Sequence, residues 1–409
     1  MGATQASAAG FMVRENSAES VATVFAGNAS RADDASTVFN NPAGMSRLKG
    51  TQIEAGIAGV LPDMHFTGTA SIQGHPLPSN NSSEVGQAAL IPHLYGVIDL
   101  DDRTKLGLAL TVPFGNTVDY NGAWSGRYVN IKTAALALDL NPNISYQITD
   151  RISIGGGVSA QYLKLQLSTA IAQSLILGPA VPDSEYTLNG HSWSWGYNFG
   201  ILAEPIDGTR LGLTYRSEVS QRLHGSLKFL PQTSPLLGLA TATAKAPIDL
   251  PASITASITQ QLGSDLSLSS DVQFTQWNVF KQVSVVSPPN PTFTFVENYR
   301  DSWMVSVGGV YRINDIWSLR AGVGFDESPV TDAYRDSGVP DTNRYMFGIG
   351  PAIRLSDTSS LDAGYAYYFG NPATMNKSVN AVDPISGATM NGSYNNALHY
   401  LTFTYHAVL

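Results

Sequence analysis

The stretch 192–205, SWSWGYNFGILAEP, alternates large apolar residues with small or polar ones. One face of the extended chain would carry Trp193, Trp195, Tyr197, Phe199 and Ile201. The other face would carry Ser192, Ser194, Gly196, Asn198 and Gly200. A period of two predicts a β-strand with unlike faces. The small, polar face is poor material for a packed core. We therefore expect the aromatic face to contact lipid and the small face to line a wet lumen.

The same alternation recurs from about residue 50 to the C-terminus, and turn signals divide this region into about 14 strands. Tight connections are predicted at 99–103, 149–151, 206–209, 263–265, 313–315 and 356–358. Between them lie longer connections at 68–87, 115–129, 168–191, 219–248, 284–300, 328–343 and 370–396. Strict alternation of short and long connections is typical of up-and-down outer-membrane barrels, whose tight turns face the periplasm. The predicted fold is therefore an all-β membrane protein, a 14-stranded antiparallel barrel.

Composition supports a membrane protein. Only 13% of the 409 residues are charged, whereas 43% are hydrophobic, and the net charge is −9. The acidic balance and the absence of a basic run argue against nucleic acid as a partner. The chain has no cysteine, which excludes disulfides and thiolate metal sites and suits passage through an oxidising compartment. No apolar run reaches the length of about 20 residues that a transmembrane helix needs.

A soluble β-sandwich or propeller would also show alternation and is the alternative fold. A sandwich, however, packs its apolar faces together and places charges on its outer faces. The faces opposite the apolar ones are rich in serine, glycine and asparagine here, which favours a barrel in lipid. A closed barrel pairs all its backbone groups and leaves no edge.

The N-terminal segment is of a different kind, because residues 11–48 lack the period of two. Ser17 is a candidate N-cap, with Ser20 as the alternative, and Gly27 is the predicted stop of that helix. Asn41 is a candidate cap with Pro42 at the first helical position. We therefore divide the chain into residues 1–48, a partly helical plug or hatch inside the lumen, and 49–409, the barrel. A periplasmic tail is the alternative, and Ala6-Ser7-Ala8 resembles the end of a cleaved signal peptide.

Several motifs, taken in order, resemble the FadL family of outer-membrane channels for hydrophobic compounds. They are AGF (9–11), RADDAS (31–36), NNPAGM (40–45), LPASITASITQQL (250–262), FTQWNVF (274–280) and VPDTNRY (339–345). Each motif alone is weak, but the ordered set spans nearly the whole chain. The resemblance implies a 14-stranded barrel plugged by an N-terminal hatch in the outer membrane of a Gram-negative bacterium. It also implies export through a cleaved signal peptide.

The resemblance further implies a mechanism and candidate residues. A hydrophobic ligand, such as a long-chain fatty acid, would be captured at outer loops, and movement of the hatch would let it leave sideways at a kinked third strand. The kink would lie at Pro113, Phe114 and Gly115, because proline cannot donate a ladder hydrogen bond. Asn41, Pro42 and Ala43 match the hatch motif of the gate. Without the family, Pro113 could equally mark the end of a strand.

Two residues are candidate ligand contacts by the same resemblance. Phe11 matches an apolar position near the free end of the hatch. Arg300 matches a basic position that could hold a carboxylate; its alternative is a rim arginine facing water or lipopolysaccharide. A second basic position of the family falls on Thr169, which puts a preference for fatty acids in doubt. Lys164 lies nearby, but the period of two places it on the outer face.

Two predicted outer connections, 168–191 and 219–248, carry the apolar stretches AIAQSLILG and LLGLATATA, which we interpret as a capture surface or as a lid. No cofactor and no metal site is expected, and no catalytic residue is assigned, since the seven histidines show no catalytic or ligand spacing. The expected partners are hydrophobic small molecules, outer-membrane lipid and lipopolysaccharide, with the chain a monomer. Aromatic hydrocarbons, export of oxidised fatty acids, a hydrophilic porin and an outer-membrane lipase are the alternatives.

Overall fold

The computed structural model of the chain describes residues 10–78, 85–120, 122–232, 237–378 and 387–409. The β-strands within these residues are β1 (Gln52–Ile72), β2 (His75–Pro76), β3 (Ala89–Asp99), β4 (Thr104–Asp119), β5 (Lys132–Thr149), β6 (Ile152–Ile171), β7 (Ser184–Ile206), β8 (Thr209–Arg216), β9 (Val219–Leu230), β10 (Ala242–Leu250), β11 (Ser253–Leu262), β12 (Leu266–Thr275), β13 (Gln282–Val285), β14 (Phe293–Val296), β15 (Ser302–Arg312), β16 (Trp317–Asp326), β17 (Arg344–Arg354), β18 (Ser359–Gly370), β19 (Ala373–Ser378) and β20 (Ala388–Val408). The α-helices are α1 (Ala18–Ala22), α2 (Thr37–Asn40) and α3 (Gln173–Leu177), and 3₁₀ helices cover Pro42–Arg47 and Trp277–Val279. None of the helices in the described residues is long and apolar enough to cross a membrane.

The main sheet is a closed antiparallel barrel. Its last strand, β20, pairs with β1 from Gln52 opposite Val408 to Ile72 opposite Ala388, which removes any free edge at the seam. Three barrel strands are each built from two consecutive segments, namely β8 with β9, β10 with β11, and β18 with β19. Counted in this way, and without the two-residue β2, the barrel has 14 strands. The predicted fold class is confirmed.

The six predicted tight turns all fall between consecutive strands of the barrel. The long connections are shorter than predicted, because the strands continue beyond the part of the sequence with clear alternation. Most of 219–248 belongs to β9 and β10, and α3 lies within 168–191. Burial in β9 and β10 still alternates, but here the apolar residues are buried and polar residues such as Arg222 and Lys245 are exposed, which is the reverse of the pattern in β7 around Trp195. Residue 236, the first of LLGLATATA, lies outside the described residues.

The two faces of the strands meet different surroundings. The aromatic column of β7 points outward, and Trp195 at 71% is its most exposed member. On the opposite face of β7, Ser192 and Asn198 are buried. Nearer the tight turns this inner face packs against the N-terminal segment, since a Cβ atom added to Gly200 would collide with Asn41. Small residues are needed there because the hatch backbone approaches the wall closely.

The N-terminal segment fills the barrel at the end that carries the tight turns. It hydrogen-bonds to strands around the circumference, for example from the Ala18 N–H to Thr404 Oγ1 of β20 at 2.9 Å. Ser17 caps α1, as predicted, by accepting from the Ser20 N–H. The helix ends at Ala22 rather than continuing to Gly27, because Val24 and Phe25 adopt positive φ angles that helices of L-residues do not allow. The predicted cleavage motif lies outside the described residues.

Candidate functional site

The third barrel strand, β4, is bent by a β-bulge. Its register against β5 shifts between Thr111, opposite Asp139, and Phe114, opposite Ala137, so β4 holds one extra residue there. Pro113 lies inside the bulge and has no N–H to donate to a ladder. The kink predicted at Pro113, Phe114 and Gly115 therefore coincides with the irregularity of the strand.

Beyond the bulge, β4 separates from its other neighbour. The pairing of β3 with β4 runs only from Asp99, opposite Lys105, to Leu94, opposite Leu110. Residues 89–93 of β3 remain paired with β1 but not with β4. Residues 111–118 of β4 are buried at every position, whereas burial alternates from residue 104 to residue 110. The strand thus turns into the interior and leaves an interruption in the wall between β3 and β4.

The free edge of the bent strand is covered by the beginning of the N-terminal segment. The Gly115 N–H donates to the Phe11 carbonyl at 2.9 Å, and the Val13 N–H donates to the Pro113 carbonyl at 2.9 Å. Met12 forms an antiparallel bridge with Phe114. Residues 11–13 therefore replace β3 as the hydrogen-bonding partner of β4 at the interruption, a form of strand addition to a sheet edge. We call residues 11–13 and 113–115 together the ribbon.

Phe11 holds this ribbon in an aromatic cluster. Its ring centroid lies 4.9 Å from that of Trp277, 5.3 Å from that of Phe280 and 5.9 Å from that of Phe114. The contacts with Trp277 and Phe280 are edge-on, the arrangement that aromatic pairs favour. Tyr299 extends the cluster, 4.9 Å from Phe280. Because the 3₁₀ helix Trp277–Val279 starts just beyond β12, the cluster ties the free end of the hatch to the outer part of the wall.

Two cavities lie on either side of the ribbon. The outer cavity is about 770 Å³, and Phe11, Asn116, Leu163, Ile248 and Val339 are among its lining residues. The inner cavity is about 900 Å³, and its lining includes Met12, Val13, Pro113, Phe114 and Arg216. Among the described residues, none lines both cavities.

The motif Asn41, Pro42 and Ala43 is fixed to the wall near the tight turns. The Asn41 side-chain amide donates to the Ala29 carbonyl at 2.7 Å and to the Ile201 carbonyl at 3.0 Å. Its Oδ1 accepts from the Ala43 N–H at 3.2 Å, which confirms the predicted cap. Ser153 Oγ donates to the Ala43 carbonyl at 2.9 Å.

Two glycines of the wall make this contact with the motif possible. A Cβ atom added to Gly200 would collide with Asn41, and one added to Gly155 would collide with the backbone of Pro42. This motif is thus an anchor of the hatch. It lies far along the chain from residues 11–13, which cover the bent strand.

Buried ion pairs reinforce the same end of the hatch. Glu19 of α1 pairs with Arg31 and with Arg320 of β16, at 3.1 Å from the latter. Arg320 also pairs with Asp362 of β18 at 2.9 Å, so one wall cation joins the hatch to a second strand. All these side chains are nearly fully buried. A hydrogen-bonded network of this kind loses much of its stability when one partner is removed.

One group of side chains has the chemistry of a metal site. Asp34, Glu54 and His406 offer ligand atoms that lie within 4.8 Å of one another. His406 already contacts Asp362 at 3.0 Å and Glu54 at 3.5 Å. Glu54 also accepts from the Ser36 N–H of the hatch at 2.8 Å, so this group joins the hatch to the wall.

Arg300 occupies a different place from the other candidate residues. Its guanidinium pairs with Glu327 at 3.0 Å and donates to the Ser328 carbonyl at 3.3 Å, and 49% of its side chain is exposed. It is absent from the described residues that line the two cavities. Thr169, in contrast, lines the outer cavity, and Lys164 is exposed on the outer face of β6 as the period of two predicts.

Two acidic residues of the outer cavity, Glu297 and Asp336, were missed in the sequence. They lie in the connections after β14 and after β16, which carry no periodic pattern. No motif of the sequence marks them. Only the three-dimensional meeting of the two connections over β4 and β6 reveals them.

Comparison with known proteins places this geometry in a family. The family model described as "Outer membrane protein transport protein (OMPP1/FadL/TodX)" matches residues 1–407. The "Long-chain fatty acid transport protein" of Salmonella typhi is 26% identical over 397 residues, covering 91% of this chain and 90% of the relative. The "47 kDa outer membrane protein" of Pasteurella multocida is 28% identical over 392 residues, with 91% and 90% covered.

Solved structures agree with this assignment. The crystal structure of a Pseudomonas aeruginosa FadL homologue superposes with a TM-score of 0.91 at 25% identity, covering 98% of this chain and all of the homologue. The Pseudomonas putida toluene transporter TodX shares the fold, with a TM-score of 0.69 at 18% identity and 98% and 100% coverage. Match, fold and plugged barrel agree: the chain belongs to the FadL/TodX family of outer-membrane transport proteins for hydrophobic molecules.

Proposed function

We propose that this protein is a passive, non-catalytic channel for molecules with a long apolar chain, such as fatty acids and related lipids. The ligand enters the outer cavity, and movement of the hatch then lets it pass sideways through the wall between β3 and β4. The ribbon of residues 11–13 and 113–115, which separates two cavities at an interruption of the wall, is the observation that carries the proposal. The channel acts as a monomer among outer-membrane lipid and lipopolysaccharide.

The lining of the outer cavity supports capture of an apolar chain. Leucine, valine, isoleucine and phenylalanine make up more than half of its lining residues, and they come from β6, β10, β13, β14, the hatch and the connections between strands. Burying a methylene group stabilises a complex by about 0.8 kcal/mol, so a long chain gains several kcal/mol on entry. The names of the curated relatives, long-chain fatty acid transport proteins, support the same class of ligand.

The ribbon supports a role for the hatch as the gate. Phe11 lines the outer cavity, and the next two residues line the inner one. A ligand that displaces Phe11 from its aromatic cluster therefore also pulls on the two hydrogen bonds to β4. Once these bonds break, the outer cavity becomes continuous with the edge of β4 that β3 leaves uncovered. The anchored motif Asn41, Pro42 and Ala43 would keep the rest of the hatch in place.

Sideways release is also the favourable direction for an apolar ligand. Passage straight down a water-filled pore would expose the chain to water, at a cost of about 0.8 kcal/mol for each methylene group. Release through the wall transfers it directly into hydrocarbon. No energy source is needed, because the ligand moves down its own concentration gradient.

Uptake by proteoliposomes tests the proposal. The variant Gly115→Asp places a charged side chain in the ribbon, and we expect it to fold but to lose uptake of a fluorescent long-chain fatty acid. Gly122→Asp makes the same change in an exposed outer connection, with open space around its Cβ position, and should keep normal uptake. Normal uptake by the folded Gly115→Asp protein would refute release through the wall at β4.

A further inference from the structure

At the seam of the barrel, a carboxylate and an imidazole face each other across two strands. Glu54 of β1 is the direct partner of His406 of β20 in the antiparallel ladder, so their side chains lie side by side on one face of the sheet. Both are directed into the barrel, where Glu54 is fully buried and His406 nearly so. The hatch adds Asp34, and ligand atoms of the three residues lie within 4.8 Å of one another. Three separate segments thus bring together side chains that bind metal ions in proteins.

Two buried carboxylate oxygens of this group have no hydrogen-bond partner among the described residues. Glu54 Oε2 accepts from the Ser36 N–H at 2.8 Å, but Glu54 Oε1 is buried without a partner. The same holds for Oδ1 of Asp362, whose other oxygen contacts His406. A buried acceptor without a partner is costly and needs an explanation, such as a bound ion. The free oxygen of Glu54 is therefore an observation, separate from the clustering, that points to a cation.

His406 is held in the orientation that a metal ligand requires. Its Nε2 shares a hydrogen bond of 3.0 Å with Asp362 Oδ2, and its Nδ1 lies 3.5 Å from Glu54 Oε2. A carboxylate can only accept, so a neutral imidazole carries its proton on Nε2 and keeps the lone pair of Nδ1 on the side of Glu54. Metal-binding histidines commonly donate their second ring nitrogen to a carboxylate in this way.

The distances are close to those of a metal site. Zn²⁺ holds nitrogen and oxygen ligands at about 2.0–2.2 Å, so two of them lie at most about 4.4 Å apart. Nδ1 of His406 and Oε2 of Glu54, at 3.5 Å, already satisfy this limit. The complete group, within 4.8 Å, exceeds the limit by at most about 0.4 Å. Small rotations of the side chains would close such a site.

The charges around the group also favour a divalent cation. The network that links the hatch to the wall contains five carboxylates and three guanidinium groups, which leaves two negative charges when His406 is neutral. These residues are Glu19, Asp33, Asp34, Glu54 and Asp362, with Arg31, Arg210 and Arg320. Protonation of His406 neutralises one of the two charges, whereas a divalent cation neutralises both.

A polar cavity connects the group with the periplasmic end of the barrel. The cavity is about 880 Å³, and His406 and Asp362 are among its lining residues. Asp315 and Asp357 of the tight turns also line it and are exposed. An ion from the periplasm can therefore reach His406 without passing the ribbon or the outer cavity.

We propose that Asp34, Glu54 and His406 bind a divalent transition-metal cation such as Zn²⁺, with Asp362 orienting the imidazole. One imidazole nitrogen with two carboxylate oxygens suits Zn²⁺ better than Ca²⁺ or Mg²⁺, which prefer oxygen ligands alone. The bound ion ties the hatch to β1 and β20, the two strands of the barrel seam. This inference is independent of the proposed function, because it concerns neither the outer cavity nor the ribbon.

Zinc binding to the full chain in detergent, after removal of metals with EDTA, tests the site. By equilibrium dialysis we expect the wild type to bind one Zn²⁺ per chain with a Kd of about 10 μM or tighter. Glu54→Gln and His406→Gln each remove one ligand and keep most of the side-chain volume. Since loss of an outer-shell partner alone weakens metal binding about 10–100-fold, loss of a ligand should weaken it about hundredfold or more.

His399→Gln is the matched control for these variants. His399 lies in the same strand, and its ring bonds to Tyr365 on the outer face of the barrel. This variant should bind Zn²⁺ as the wild type does. Equal binding by the wild type, Glu54→Gln and His406→Gln would overturn the assignment of the site.

Anomalous diffraction at the zinc edge locates the ion in wild-type crystals, so this measurement does not depend on the folding of a variant. A peak among Asp34, Glu54 and His406 is the expected result. Surface histidines, such as His191 opposite His224 in β7 and β9, can also bind Zn²⁺. Peaks at such surface positions alone would overturn the proposal.

Hydrogen exchange tests whether the ion holds the hatch. The Ser36 N–H donates to the ligand Glu54, so opening of this part of the hatch disrupts the site. With Zn²⁺ at a hundred times its Kd, such opening should become about hundredfold rarer, and exchange of residues 33–41 should slow accordingly. Unchanged exchange in the zinc-loaded wild type would overturn the proposed tie between the hatch and the seam.

Discussion

The two ends of the N-terminal segment are held in different ways. Near the tight turns, Glu19, Asn41 and their neighbours are fixed by buried ion pairs, side-chain hydrogen bonds and close contacts with wall glycines. At the free end, residues 11–13 are held by two backbone hydrogen bonds and one aromatic cluster. On either side of them, the Gly10 N–H donates to Asp341 at 2.7 Å and Arg14 pairs with buried Asp326 at 2.9 Å. A plug that moved as a whole would have to break both sets. We therefore propose a hatch with a fixed base, the part around Glu19 and Asn41, and a releasable tip, residues 11–13.

Removing both ends together should have the largest effect. We expect deletion of residues 1–48 to convert a sealed barrel into an open pore, because the base fills the interior near the tight turns. Planar-bilayer recordings should change from negligible current to a steady ion conductance, while selective uptake of hydrophobic ligand is lost. A bilayer that stays electrically silent after the deletion would show that the segment does not seal the barrel.

Weakening only the base should have the next largest effect. Arg320→Gln removes the cation shared by Glu19 and Asp362, and breaking a buried pair of this kind costs about 3–5 kcal/mol. We expect faster hydrogen exchange of the α1 amides and faster proteolysis of the hatch. The control, Arg312→Gln, breaks an exposed pair with Asp265, which is worth at most about 1 kcal/mol. If both variants behave alike, the base is not held by its charges.

Weakening only the tip should affect gating more than sealing. Phe11→Ala empties the centre of the aromatic cluster, a change that costs about 3 kcal/mol or more in a rigid core and less where the chain can relax. We expect faster exchange of the Val13 and Gly115 amides, with no ion conductance. Phe11→Leu fills most of the space and should restore slow exchange. Fast exchange of the α1 amides in Phe11→Ala would show that tip and base move together.

The smallest effect is expected from the bulge itself. Pro113→Ala restores an N–H that could join a ladder, and one such hydrogen bond contributes about 0.5–1.5 kcal/mol. If it favours a straighter β4, ligand uptake should fall by about two- to tenfold. Pro142→Ala makes the same change in the neighbouring strand β5, opposite Leu108, below the interruption. If both variants lose uptake equally, uptake does not depend on the bend of β4.

Much of the barrel could be predicted from the sequence, because lipid imposes a pattern on each strand independently. The alternation around Trp193 and the turn residues near Asp101 and Gly263 are local signals, so strand number and tight turns follow from them. The cap formed by Asn41 and Pro42 is local in the same sense. The outer ends of strands such as β9 and β10 were missed, because there the exposed face is polar and the buried face apolar, so the outward apolar pattern of the lipid-facing part is absent.

The candidate site was predicted only in part. Pro113 marks the bend because a missing N–H is visible in the sequence, and the family resemblance pointed to Phe11. Their contact could not be predicted, because it consists of backbone hydrogen bonds between segments about one hundred residues apart. The outer cavity was also missed, since it forms where Glu297, Asp336 and Thr169 converge from separate connections and strands. No single segment carries its chemistry.

The backbone pairing of residues 11–13 with β4 determines which substitutions this contact tolerates. Val13 and Gly115 donate through their backbone N–H groups, and Phe11 and Pro113 accept through their carbonyl oxygens. These two hydrogen bonds therefore do not depend on the identity of most side chains. Proline at position 13 or 115 is the one exchange that must remove a bond. Substitutions in the surrounding side chains can therefore change which ligands fit, while the backbone pairing of residues 11–13 with β4 stays the same.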